Sequence, residues 1–158
     1  MSHSLRLQVE LDLDQIARLR SEYGAHLALA DMHEIPHELV VVLGTVLHSF
    51  YNGVENAIKR ILIRTDEKVP SGESSHAELL KQAAIEQAHR PAIISAKLHG
   101  QLLPFMAYRH FFRHAYSFQM DWDRMQGLVQ SFGATADAVD SELRLFLDWF
   151  EASELRER

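Results

Sequence analysis

No cysteine occurs among the 158 residues, which excludes a disulfide framework, a thiolate nucleophile and a zinc–thiolate site. A chain of this kind suits a reducing compartment, and the expected location is the cytoplasm. No apolar run approaches the roughly 20 residues that cross a bilayer, so no membrane partner is expected. The amino-terminal stretch MSHSLRLQVELDLDQ mixes charge with apolar residues and does not read as a secretory signal. Positive charge is also in deficit. A formal net charge of −6 argues against a broad nucleic-acid surface, which sets many Lys and Arg against phosphates, but leaves room for a small basic pocket.

Glycine and proline number only seven and four, and the apolar residues recur every three or four positions. The fold class is therefore all-α, with no credible strand. Val9, Leu13, Ile16, Leu19, Tyr23 and Leu27 form one stripe. A second runs from Ile35 through Leu39, Val42, Val46, Phe50, Val54 and Ala57 to Ile61, a helix of about 30 residues that starts after Pro36. Thr65 to His76 is the main loop. A short helix, HAELLKQAAIEQ, runs from His76 to about Gln87, with Ser74 or Ser75 as its cap. Pro91 interrupts the chain, and Ser95 caps a helix reaching about Tyr116, in which Pro104 should make a bend or a break. Asp121 caps the last helix, whose apolar side is Leu128, Phe132, Val139, Leu143, Phe146 and Phe150. The expectation is one domain, residues 1–158, built as an antiparallel four- to five-helix bundle.

Against this background the stretch YRHFFRHAYSF, residues 108–118, stands out, with basic and imidazole groups interleaved with aromatics. Arg109, Arg113 and Tyr116 share one side of a helix, with His110 and His114 on a neighbouring ridge. Arg109 and His114 lie about 140° apart, so they converge only if the helix ends near Ala115 or if a second copy supplies the other half. A neutral imidazole can take the proton of a ribose 2′-hydroxyl, and a guanidinium can hold a phosphate while charge builds. That is the equipment of a metal-independent ribonuclease. Asn52 and Glu55, in YNGVENAIKR, are placed to support the motif from the neighbouring helix.

The spacing R-x-x-x-x-H-x-Y from Arg109 to Tyr116 resembles the HepT-type toxins of the HEPN superfamily. The ordered segments DMHEIPHELVVVLGTVLHSFYNGVENAIKRI, VPSGESSHAELLKQ, RPAIIS and YRHFFRHAYSFQMDWDRM extend the resemblance from about Leu29 to Val129. It implies a symmetric homodimer whose motifs face a shared cleft, RNA as substrate, no cofactor, and a partner MNT-type nucleotidyltransferase antitoxin. It also implies nuclease roles for Arg109 and His114, with Arg113 and His110 beside them, and AMP modification at Tyr116. His110 stands where such sequences commonly place Asn, so the working imidazole is either His110 or His114. The expected activity is that of an endoribonuclease toxin of a type II toxin–antitoxin module.

Plainer readings exist for each feature. Arg109 and Arg113 would serve equally as partners for Asp121 and Asp123, and His114 as a cation at a helix C-terminus. Tyr116 would serve as a half-buried core residue, and Phe111 and Phe112 as packing. A second function, in a different class, is a non-catalytic nucleotide-binding partner of a nucleotidyltransferase. The pairs His33/His37 and His110/His114 have helical metal-ligand spacing, yet only Glu55 would offer a carboxylate near an apolar seam, so no metal is assigned.

Overall fold

A computed structural model describes residues 2–158. Among the described residues six α-helices follow one another: α1 Ser2–Glu22, α2 Gly24–Ala28, α3 His37–Thr65, α4 Ser75–Ala83, α5 Ala96–His114 and α6 Trp122–Arg156. Short 3-10 turns lie at Leu29–Asp31 and Ser117–Gln119, and no strand occurs among the described residues.

The sequence pattern runs through Tyr23 as a single helix, but the chain breaks there. Tyr23 adopts φ −105°, ψ 15° between α1 and α2. The stripe survives because Leu19, Tyr23 and Leu27 all pack against the core across the break, and Gly24 makes continued helix less favourable. At Pro104 the helix does not break, since α5 continues through it. The carbonyl it releases belongs to Gly100, where no side chain crowds the ring; both residues are exposed, so water can satisfy the freed oxygen.

Side-chain pairs fix the helix directions. Arg60 meets Asp12 and Gly53 abuts Ile16, so α3 runs against α1. Phe50 packs edge-on to Phe105 and Phe132 at centroid distances of 5.2 and 4.9 Å, which brings α5 and α6 onto the same side chain of α3. Ser95 pairs with Glu142, while Arg124 lies over Phe111, so α5 and α6 are antiparallel. Arg6 binds Glu10, Asp148 and Glu151, tying α1 to α6. The central position of α3 explains its sequence: Leu43, Leu47, Phe50, Val54, Ala57, Ile58 and Ile61 bury more than one face. The expected caps form, with Ser95 Oγ accepting from Leu98 N and Asp121 Oδ1 from Asp123 N, both at 3.0 Å. Ser74 precedes α4, but its hydroxyl donates to Glu78 rather than capping.

Between α4 and α5 the chain folds back through a tight turn, with Gln87 and Arg90 exchanging backbone bonds. This turn explains why α4 ends at Ala83 instead of continuing toward Gln87. Arg90 points inward from it. Its guanidinium forms two bonds to the Asp66 carboxylate, at 2.6 and 2.7 Å, and donates to the carbonyls of Ile85, Pro91 and Gln82. Side-chain exposure is 0% for Arg90 and 6% for Asp66, so the pair is buried. Gln82, Thr65 and His89 also bond to the carboxylate.

Burial alone would raise the Asp66 pKa, but the bonds from Arg90, Gln82, Thr65 and His89 outweigh it and hold the group well below the usual carboxylate range. A depressed acid contributes stability above its unfolded value and loses it as pH falls through the folded one. Unfolding free energy should therefore decline as pH drops below about 4, and less steeply in Asp66→Asn. Arg90→Ala leaves a buried anion unpaired and should cost about 3–5 kcal/mol, measured by urea unfolding at neutral pH.

Candidate functional site

The site forms where α5 crosses α3. Close approach is possible because residue 44 of α3 is glycine: a Cβ there would lie 2.5 Å from the Tyr108 hydroxyl. That hydroxyl is buried and donates to Met120 Sδ at 3.4 Å, which anchors the chain beyond the end of α5. Burial pushes the Tyr108 phenol up to about 12. The same junction is held from α3 by His37, whose Nε2 lies 3.1 Å from the Ser117 carbonyl oxygen. His33 is in a bend before α3 begins, so His33 and His37 do not form the helical i, i+4 pair that their spacing suggested.

With Tyr108 seated, the next residue turns toward the polar side of α3. Arg109 is half-buried, and its Nε donates to Asn52 Oδ1 at 2.7 Å. Its Nη1 lies 3.3 Å from His76 Nε2, and His76 Nδ1 lies 2.6 Å from Glu55 Oε1. On the other side, Asn52 Nδ2 lies 3.0 Å from His48 Nε2. An arginine can only donate, and this fixes the sense of both chains. Asn52 accepts through oxygen and donates its amide hydrogen to His48 Nε2, so His48 bears its proton on Nδ1. His76 accepts at Nε2 and donates from Nδ1 to the Glu55 carboxylate. One guanidinium thereby sets the tautomers of two histidines.

His48 stacks on Phe112 with ring centroids 4.5 Å apart. Burial, then the charges of Arg109 and Arg113, holds its pKa below the ordinary imidazole value. This favours the neutral form, as its acceptor role requires. Burial, with the neighbouring Glu55 carboxylate, pushes the Tyr51 hydroxyl above the usual tyrosine range. Tyr51 Oη, Glu55 Oε2 and His48 Nδ1 are buried without a hydrogen-bond partner among the described residues.

Of the residues singled out in the sequence, Arg109, Asn52 and Glu55 come together, Glu55 through His76. His110 and His114 do not join them. Both are exposed, and their rings lie 4.8 Å apart on another face of α5. The helix does end at His114, with Ala115 extended at φ −95°, ψ 144°. That ending still leaves no bond from Arg109 to His110 or His114 among the described residues. Arg113 is exposed and forms no ion pair among them, so neither Arg109 nor Arg113 pairs with Asp121 or Asp123. Tyr116 is 71% exposed and stacks face to face on Phe118 at 5.5 Å, which removes the half-buried reading. Phe111 and Phe112 are half-buried packing residues.

His48 and His76 were not identified from sequence. One signal was available: His48, Tyr51, Asn52 and Glu55 follow one another at i, i+3, i+4 and i+7, a polar face on an otherwise apolar helix. His76 carried no comparable signal, because it reaches the site from the first turn of α4. No group of three or more His, Cys, Asp or Glu side chains clusters as metal ligands among the described residues.

Gly44→Ala should displace Tyr108 and cost about 1–3 kcal/mol in urea unfolding, as overpacking of a close contact does. Tyr108→Phe in the same chain should recover much of that loss, because it removes the atom that collides. Additive effects of the two substitutions would show that the contact is not the cause.

Comparison with known proteins gives no curated protein and no solved structure that matches. A family model described as HepT-like protein does match, over residues 42–150. The match covers well over half of the chain, begins within α3 and runs through most of α6, later at both ends than the resemblance seen in the sequence. It contains Asn52, Glu55, His76 and all of the 108–118 stretch, and on this evidence the chain belongs to the HepT-like family of the HEPN superfamily.

Proposed function

We propose that the protein is a metal-independent endoribonuclease, the toxin of a type II toxin–antitoxin module. Family membership supports a ribonuclease of the HEPN type, and the anchoring of Arg109 is the observation that carries the reading here. Of the five N–H groups of a guanidinium, Asn52 and His76 engage two. Three remain to grip a phosphate, on a side chain already immobilised by α3 and α4, so little entropy is lost on binding. Arg113, exposed one turn further on, adds a second positive charge toward the same phosphate chain.

His110 and His114 lie outside this cluster, and the proposed homodimer supplies their place. Two copies meeting along the exposed ridge of α5 would face each motif histidine toward the partner's Arg109 across one cleft. In that cleft an imidazole assists attack of the ribose 2′-hydroxyl on phosphorus, while Arg109 holds the non-bridging oxygens. Tyr116 is the proposed site of AMP transfer by a nucleotidyltransferase antitoxin, and its exposed, stacked ring supports access by such an enzyme. An AMP group there would place a second phosphate in front of the arginines and block the RNA.

The purified protein should cleave RNA in EDTA. Arg109→Ala should lower the rate by about 10²- to 10³-fold, the usual effect of removing one group that stabilises developing charge, with unchanged helicity by circular dichroism. If the wild type leaves RNA intact and instead gains thermal stability with AMP, the nuclease reading fails in favour of a nucleotide-binding partner protein.

A further inference from the structure

Cleavage of RNA through the 2′-hydroxyl needs two proton transfers, one from the attacking oxygen and one to the departing 5′-oxygen. Neither motif histidine, His110 or His114, is bonded to Arg109 among the described residues, whereas His76 is. Resting on the nuclease reading, we propose that His76, oriented by Glu55, is the catalytic base of the site, and that a motif histidine is the acid.

The geometry carries this assignment. Glu55 Oε1 holds His76 Nδ1 at 2.6 Å, so the lone pair of the imidazole lies on Nε2. A carboxylate behind one ring nitrogen with the other nitrogen presented to the site is how a histidine base is held in the correct tautomer. Nε2 lies beside the guanidinium proposed to bind the phosphate, at 3.3 Å from Nη1. That contact is long compared with the 2.7 Å bond from Arg109 to Asn52, so a phosphate can draw the Nη1 hydrogen away from His76 while Asn52 keeps the arginine in place. His76 then has an empty acceptor within reach of a hydroxyl on the nucleotide whose phosphate Arg109 holds.

Among the described residues no carboxylate pairs with His110 or His114, whose rings lie against each other. His48, the other histidine of the cluster, is spent as an acceptor for Asn52 and packed under Phe112. Among the described residues, His76 contacts two charged groups, Glu55 and Arg109. From α3 there is Glu55, with the Tyr51 hydroxyl beside it and His48 beyond Asn52; from α5 there is Arg109; on its own helix Glu78 is engaged by Ser74.

The step balances as follows. The 2′-hydroxyl proton passes to His76 Nε2, and the 2′-oxygen forms a bond to phosphorus. The bond from phosphorus to the 5′-oxygen breaks, and that oxygen takes a proton from the imidazolium of a motif histidine. The products are a 2′,3′-cyclic phosphate and a 5′-hydroxyl, and water later returns the two histidines to their starting states.

The test is the pH–rate profile of RNA cleavage by the full-length protein and its variants. Wild-type kcat should rise with pH on an acid limb set by the base. His76→Ala should lower kcat by about 10²- to 10⁴-fold and abolish that limb, and Glu55→Gln, which keeps the shape of the site, should lower it in the same direction. His114→Ala and His110→Ala should retain the acid limb, and the one that serves as acid should be rescued by a nucleotide phosphodiester with a nitrophenolate leaving group. His76→Ala should not be rescued. A His76→Ala protein with raised KM but an unchanged acid limb would show that His76 only positions Arg109, and would overturn the assignment while leaving the nuclease intact. Wild-type protein without cleavage would overturn the nuclease reading itself, and this assignment with it.

Discussion

The buried pair of Arg90 and Asp66 decides where α4 lies. Asp66 is the first residue after the 29-residue α3, and Arg90 follows α4, so one bidentate contact closes the loop formed by both turns and the short helix between them. The guanidinium also gathers the carbonyls of Gln82, Ile85 and Pro91, backbone acceptors that would otherwise be stranded in an irregular segment. Such a pair need not add stability over a well-packed apolar alternative; its effect is to select one arrangement, because any other leaves a charge buried alone. Residues 75–83 are too short to hold a helix in place by their own propensity. The clamp acts together with Leu79, Leu80 and Ala83, which α4 buries in the core, to hold the turn that carries His76 against α3 and α5.

A second arginine is used in a different way. Arg109 is only half-buried, is bonded to Asn52 and His76, and pairs with no carboxylate among the described residues; Glu55 is one imidazole away. The positive charge is therefore oriented but not neutralised, the condition a phosphate site requires. In a chain with net charge −6, Arg109 and Arg113, whose charges both act on His48, form a small basic group of the size one phosphodiester needs. It does not form a surface that would bind RNA along its length.

The helices and their caps were legible because they follow local rules. Ser95 and Asp121 cap where a polar acceptor precedes an apolar period, and α3 reads directly from its spacing. The break at Tyr23 and the unbroken passage through Pro104 were not legible, since each depends on what lies beside the backbone: a core that α1 and α2 share, and a glycine four residues before the proline. The site divides along the same line. Arg109, Asn52 and Glu55 belong to two helices whose faces can be drawn from sequence. His76 enters from a third element whose position rests on a contact between residues 66 and 90, and no periodicity reports that contact.

The motif itself shows why spacing alone was ambiguous. An interval of five residues on a helix turns Arg109 and His114 to different sides, and ending the helix at His114 does not bring them together, because the imidazole already lies against His110 while the guanidinium is drawn to α3. A site that needs both must be completed from outside the chain or use another histidine. The two solutions are compatible. In the proposed dimer a motif imidazole would come from across the cleft, while the Glu55–His76 pair would supply one from within, and a reaction with two proton transfers would have work for both.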